Sequence, residues 1–207
     1  MPKQSYALET GGEKRLDISW KGAFKNVDVV LDGQSIGVIP NQKVLSQGQE
    51  FPLEDGSTLK VRLNRNLMST ELQVTRDDQP LPGSASDPKT RFKNAYLIVY
   101  FIAGLNLLLG LLASVFNVAL LQELGIGFGS ILLGLVFLVL GFFVQRQSSL
   151  ALILAIVAFI ADSLLGVVLS VLQGATPGIA GLLVRVLLLV PMFQGVPAIK
   201  TLKSKSA

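Results

Sequence analysis

Two ionisable side chains stand inside stretches that are otherwise apolar: Asp162 and Arg185. A carboxylate facing a guanidinium can form an ion pair, exchange protons with a wet path, or face a charged solute. At bilayer depth either charge alone costs several kcal/mol unless it is paired or wetted, so each is a functional candidate by default. Counted from the short polar linker between their two segments, Asp162 lies about 11 residues deep and Arg185 about 8. At ~1.5 Å of rise per residue the offset is roughly 4–5 Å, which an arginine side chain spans. An Asp162–Arg185 ion pair across the third and fourth apolar helices is therefore expected. It has two readings: an internal clamp that fixes hairpin register, or a titratable or substrate-facing site.

Little else in the chain could do chemistry. There is no Cys and no His among the 207 residues. That removes disulfides, thiol nucleophiles, Cys/His zinc sites, His-ligated haem and the usual imidazole acid–base catalyst. Asp77-Asp78 lacks the spacing of an EF-hand loop. Gly11-Gly12 begins no phosphate-binding pattern, and no G-x-x-x-x-G-K-[ST] occurs. Lone Trp20 reads as core. No catalytic residue, metal or cofactor is expected.

The elements that must position the pair are four apolar stretches at about 95–121, 125–144, 149–172 and 178–199. Each is near the ~20 residues needed to cross ~30 Å of hydrocarbon. Their linkers, Gln122-Glu123-Leu124, Gln145 to Ser148 and Gln173 to Pro177, are short enough to make neighbours antiparallel. Lys89, Arg91 and Lys93 precede the first stretch, Arg146 lies in the second linker, and Lys200, Lys203 and Lys205 follow the fourth. The first and third linkers carry no basic residue. With four spans, all of these charges fall on one side, which predicts both chain ends in the cytoplasm.

The helices carry faces of small and polar residues. Ala103, Asn106, Gly110, Ser114 and Asn117 recur along the first at three- and four-residue steps. Gly127, Gly134 and Gly141 are spaced by seven in the second, and Ala151, Ala155, Ala158, Asp162 and Gly166 line the third. Small residues let helix backbones approach in lipid. The faces fit packing within the bundle or a seam to a second copy or a partner. Pro191 should kink the fourth helix and free a carbonyl near Leu187, and Pro197 should mark its end.

Charge is crowded into residues 1–93, with 13 Lys/Arg against 12 Asp/Glu, although only 15% of the whole chain is charged and its mean hydropathy is +0.56. A soluble domain carries nearer a quarter. The net charge of +4 comes mostly from the membrane flanks, so nucleic-acid binding is not expected. Met1 to Asn26 holds no apolar run suited to a signal peptide.

Residues 15–80 read as β. Leu16 to Trp20 alternate, as do Val27, Val29 and Leu31 before Asp32-Gly33. Asp55-Gly56 is a second turn, followed by Leu59, Val61 and Leu63, then Leu72 and Val74. Asp-Gly between alternating runs signals a hairpin. Six to eight short strands are expected. Val30 to Gly37 and Thr75 to Gly83 look alike, either as a repeated hairpin or through the common chemistry of turns. The fold class is thus an α+β membrane protein: a small antiparallel β-sandwich or barrel followed by a four-helix transmembrane bundle. Its parts are a cytosolic β domain at 1–82, a linker and helix start at 83–94, the bundle at 95–200 and a basic tail at 201–207. Asp87 is placed to cap the first helix, with Pro88 in its first turn.

Three stretches, Gly141 to Val157, Tyr100 to Asn106 and Phe193 to Lys200, resemble a module of uncharacterised bacterial four-helix membrane proteins, over about 95–200. The resemblance implies an acidic residue where Asp162 stands and a His near Arg185, from which this chain departs. Combined with the β domain, it resembles cyanobacterial proteins, which implies a plasma or thylakoid membrane. It implies a fold and no activity. The function expected is a non-enzymatic scaffold or accessory protein whose cytosolic β domain binds another protein or a larger membrane complex, with lipids around it and a homo-oligomer as a further partner. The alternative is a small transporter or channel subunit using Asp162 and Arg185. A lipid enzyme would need polar residues clustered at the cytosolic interface, where only Gln145, Arg146 and Gln147 stand.

Overall fold

The computed structural model describes residues 1–65, 70–119, 126–172, 174 and 179–206. The chain divides into two compact units, Met1–Thr90 and Arg91–Ala207.

The first unit holds two four-stranded antiparallel sheets. One is ordered β1 (Lys3–Ala7), β2 (Lys14–Lys21), β3 (Lys25–Leu31), β4 (Gln34–Ile39). The other is ordered β5 (Gln49–Pro52), β6 (Thr58–Arg65), β7 (Thr70–Arg76), β8 (Gln79–Pro80). Alternation puts Leu16, Ile18, Val27 and Val29 of the first sheet into one core with Leu59, Val61, Leu72 and Val74 of the second. Trp20 joins this core and stacks on Phe24 at 4.9 Å between ring centroids. Burial pushes the Tyr6 phenol up to about 12.

The two sheets repeat one plan. Each is a meander, and the two look-alike segments both join its third strand to its fourth. The Asp32 N–H donates to the Arg15 carbonyl and the Asp77 N–H to the Thr58 carbonyl, each at 2.9 Å, so the turns close on the second strand in the same way. Both central residues of each turn have positive φ: Asp32 and Gly33 at 52° and 81°, Asp77 and Asp78 at 48° and 61°. This is the hairpin geometry that Asp-Gly favours, and Asp78 holds it without glycine's freedom. Gly37 is needed for a different reason: a Cβ there would lie 2.4 Å from the Phe51 ring, which crosses from the other sheet.

Between the sheets the strand-only expectation for 15–80 gives way to a short helix, α1 (Gln42–Gln47). Asn41 caps it by accepting from the Val44 N–H at 3.0 Å, and Leu45 anchors it in the core. After β8, Leu81 and Ser84 are buried. The Asp87 carboxylate then accepts from the Gly83 N–H, the Lys89 N–H and the Thr90 hydroxyl, at 3.0, 3.0 and 3.1 Å. The first long helix starts at Pro88, where a missing N–H costs nothing.

The long helices are α2 (Pro88–Ser114), α3 (Phe128–Gln145), α4 (Ser149–Leu172) and α5 (Ile179–Ser206). All four are long and apolar enough to cross a membrane. Their bounds correct two expectations. The first helix ends at Ser114, not near 121, because Asn117 adopts a left-handed φ of 52°. The fourth runs through both Pro191 and Pro197 to Ser206 instead of ending at Pro197. A proline inside such a helix frees one carbonyl but need not stop it when neighbours support the backbone. The 122–124 linker lies outside the described residues, as does the 173–177 linker apart from Gly174.

Glycines bring the helices together. A Cβ on Gly110 of α2 would lie 2.7 Å from the Ile131 side chain of α3. One on Gly134 would lie 2.7 Å from Leu107 Cγ and 3.0 Å from the Ala103 carbonyl, and one on Gly141 would lie 3.0 Å from the Tyr100 ring. The Tyr100 hydroxyl donates to Gln145 Oε1 at 2.9 Å beside this seam. Burial along the last hairpin is uneven. α4 buries Ala151, Leu152, Ala155, Ile156 and Phe159, and α5 buries Met192, Ala198 and Ile199. No described side chain of 160–172 or 181–190 is buried.

Candidate functional site

The site is built on the α4–α5 hairpin. From the described helix ends, Leu172 and Ile179, Asp162 lies 10 residues in and Arg185 lies 6. At ~1.5 Å per residue the backbones are offset by roughly 6 Å, so the guanidinium must reach deeper into the helix pair to meet the carboxylate. It does so: Arg185 Nη1 stands 3.5 Å from Asp162 Oδ2. Gly166, one turn beyond Asp162, lies beside the guanidinium at ordinary contact distance. A Cβ there would lie 3.6 and 3.7 Å from the two terminal guanidinium nitrogens.

The pair is incomplete as a polar cluster. The contact lacks the geometry of a hydrogen bond, and Nη1 is buried with no hydrogen-bond partner among the described residues. The side chains are still 36% and 33% exposed. Nearby hydroxyls do not help. Ser163 donates to the Phe159 carbonyl at 2.7 Å and Ser170 to the Gly166 carbonyl at 2.8 Å, both within α4. Asn106 likewise donates to the Ile102 carbonyl of its own helix at 2.9 Å. Such a pair offers fixed charge and no nucleophile.

The other expected seam residues separate into groups. Gly110, Gly134 and Gly141 face between α2 and α3, and Ala155 lies in the bundle core. Ser114 is the last residue of α2, with its hydroxyl 4.0 Å from where a Cβ on Gly127 would stand. Gly127 itself precedes α3 rather than lying on its face, and Asn117 lies outside the α2 stripe altogether. Gly195 was not among the expected residues. A Cβ there would lie 2.3 Å from Ala95 Cβ and 3.0 Å from the Leu152 side chain, so it joins α5 to both α2 and α4. Its only signal in the sequence is a small residue between two prolines.

The β unit has its own charged feature, a depression lined by Glu9, Glu13, Arg15, Asp55 and Arg76 among others. Three of its charges pair with one another, and Arg15 pairs instead with Asp32. Arg76 contacts Asp55 at 2.6 Å, Ser57 at 2.9 Å and Glu9 at 3.4 Å. Hydrogen bonds from Ser57 hold the Asp55 carboxyl below the usual range, and the Arg15 hydrogen bond does the same for Asp32. Hydrogen bonds from Lys3 and then Ser5 lower Asp17. Among the described residues no three acidic side chains converge to hold a metal ion.

No protein-family model, curated protein or solved structure matches the chain, so its two sheets and four apolar helices are what characterise it.

Proposed function

We propose that this is a non-enzymatic integral membrane scaffold or accessory protein, presenting the β unit on the cytosolic side to another protein or a larger membrane complex. The β4 edge carries the reading. A sheet edge exposes unpaired backbone N–H and C=O groups, and natural edges are usually blunted by charge or proline. β1 carries Lys3, β5 carries Glu50 and Pro52, and β8 carries Pro80. β4, Gln-Ser-Ile-Gly-Val-Ile, carries neither, and Val38 is 59% exposed. Such an edge can accept a strand from another chain.

The basic residues at 89–93, 146 and 200–205 support a cytosolic β unit and C-terminus. The test is affinity capture of the full chain from gently solubilised membranes. A stable larger complex that Val38→Lys abolishes, while the variant stays folded, is the expected result. A bare protein that passes ions in liposomes would overturn the reading.

The second reading, a small transporter or channel subunit, is favoured by the partial exposure of the Asp162–Arg185 pair. It requires water to reach the pair. Since the chain has no cysteine, labelling of Asp162→Cys by a membrane-impermeant thiol reagent would reveal that path.

A further inference from the structure

The half of the α4–α5 hairpin that lacks buried side chains also holds the Asp162–Arg185 pair. Apolar residues such as Leu165 and Leu169 can face lipid there without penalty. The pair cannot. Acyl chains offer no hydrogen-bond partner, and intramembrane charges face protein or water as a rule. Whatever covers this face must therefore meet three conditions. It must lie at the same depth. It must offer an acceptor to Arg185, whose side chain is 36% exposed. It must offer a donor to Asp162.

A second copy of the chain meets all three. A two-fold axis along the membrane normal preserves depth and brings the same patch against itself. Each copy then supplies one acid and one base, so the opposed charges complement each other without any further residue. The exposed faces of α2 and α3 are apolar, with residues such as Leu108 and Val139, so the α4–α5 face is the one that brings charge to the surface of the helical unit. We infer that the protein forms a homodimer through this half of α4 and α5, in which the partly exposed Asp162 and Arg185 of each copy face Arg185 and Asp162 of the other. The dimer does not depend on what the β unit binds.

The test uses the full chain, which contains no native cysteine. Leu169 lies seven residues from Asp162, two turns along the same face of α4. Leu108 on α2 is similarly exposed and serves as the control. Under mild oxidation in native membranes, Leu169→Cys should give a disulfide-linked dimer as its main product and Leu108→Cys should not. Native mass spectrometry of the wild type from nanodiscs should report two copies. Adding Asp162→Asn to Leu169→Cys should cut the cross-linked fraction several-fold. Cross-linking of Leu165→Cys and Leu169→Cys no greater than that of Leu108→Cys would overturn the inference, as would a mass spectrum of monomers, whether bare or carrying bound lipid. Cross-linking indifferent to Asp162→Asn would remove the charge pair from the interface. None of these results bears on the β4 edge, which the Val38→Lys capture tests separately.

Discussion

Each unit of the molecule pairs an aspartate with an arginine, and the two pairs are opposites. In the β unit, Arg15 Nε and Nη2 both donate to the Asp32 carboxylate, at 2.6 and 2.5 Å, with water around them. In the membrane unit, Arg185 makes one contact to Asp162 at 3.5 Å with no hydrogen bond between them. Distance alone would rank the first pair as the stronger. The surroundings reverse that order. Water solvates either partner of the exposed pair when the other is removed, so breaking it costs little. Lipid solvates neither, so breaking the looser pair strands a charge. The environment, not the contact distance, sets what an ion pair contributes.

The largest expected effect sharpens this contrast. Asp162→Asn or Arg185→Gln alone leaves one charge uncompensated at membrane depth and should destabilise the helical unit by roughly 3 kcal/mol, read from unfolding in mixed detergent–SDS micelles. Next comes packing. Gly134→Leu must push against Leu107 Cγ at 2.7 Å and its backbone nitrogen at 2.9 Å, and should cost about 1–3 kcal/mol in the same assay. Gly104→Ala on α2, where nothing lies within 4 Å, should leave stability unchanged. Equal costs at the two glycines would break the assignment of the α2–α3 seam.

Smaller effects belong to the β unit. Asp78→Gly relieves a side chain at φ 61° and should raise the unit's thermal stability by roughly 0.5–1 kcal/mol. Smallest is Arg15→Gln, whose melting temperature at pH 7 should stay within measurement scatter of the wild type. Asp32 has a lowered folded pKa because Arg15 donates a hydrogen bond to it. Whatever the pair contributes is therefore present above the ordinary carboxylate value of 3.8 and is lost as pH falls through the lowered folded value. Melting curves of the two chains should therefore stay superimposed as the pH is lowered into acid. A large loss at pH 7 would contradict the ranking of the two pairs.

The residues explain which of these features sequence alone could reveal. Asp32-Gly33 and Asp55-Gly56 mark turns because few other residues enter positive φ easily, and the strands beside them followed from period-two alternation. The common plan of the two sheets needed register, since Thr75 to Gly83 and Val30 to Gly37 share only an acidic turn, a Gln and an apolar residue. Helix α1 was hidden because Gln42 to Gln47 is too short for periodicity, although Asn41 is a recognisable cap. Hydropathy could not end α2 at Ser114, because Val115, Phe116 and Val118 continue the apolar run past the backbone break. Depth counting suggested that Asp162 and Arg185 would meet. It could not show that the guanidinium lies against Gly166, that both side chains of the pair stay partly exposed, or that Gly195 touches two helices at once.

The central claim is that Asp162 and Arg185 act as one energetic unit within the membrane. A double-mutant cycle tests it directly: the unfolding free energies of Asp162→Asn, Arg185→Gln and the double variant, measured in the same micelles as the wild type. The account predicts that the double variant recovers most of the loss of either single variant, a coupling of about 2 kcal/mol or more. Single losses that simply add in the double variant would contradict it.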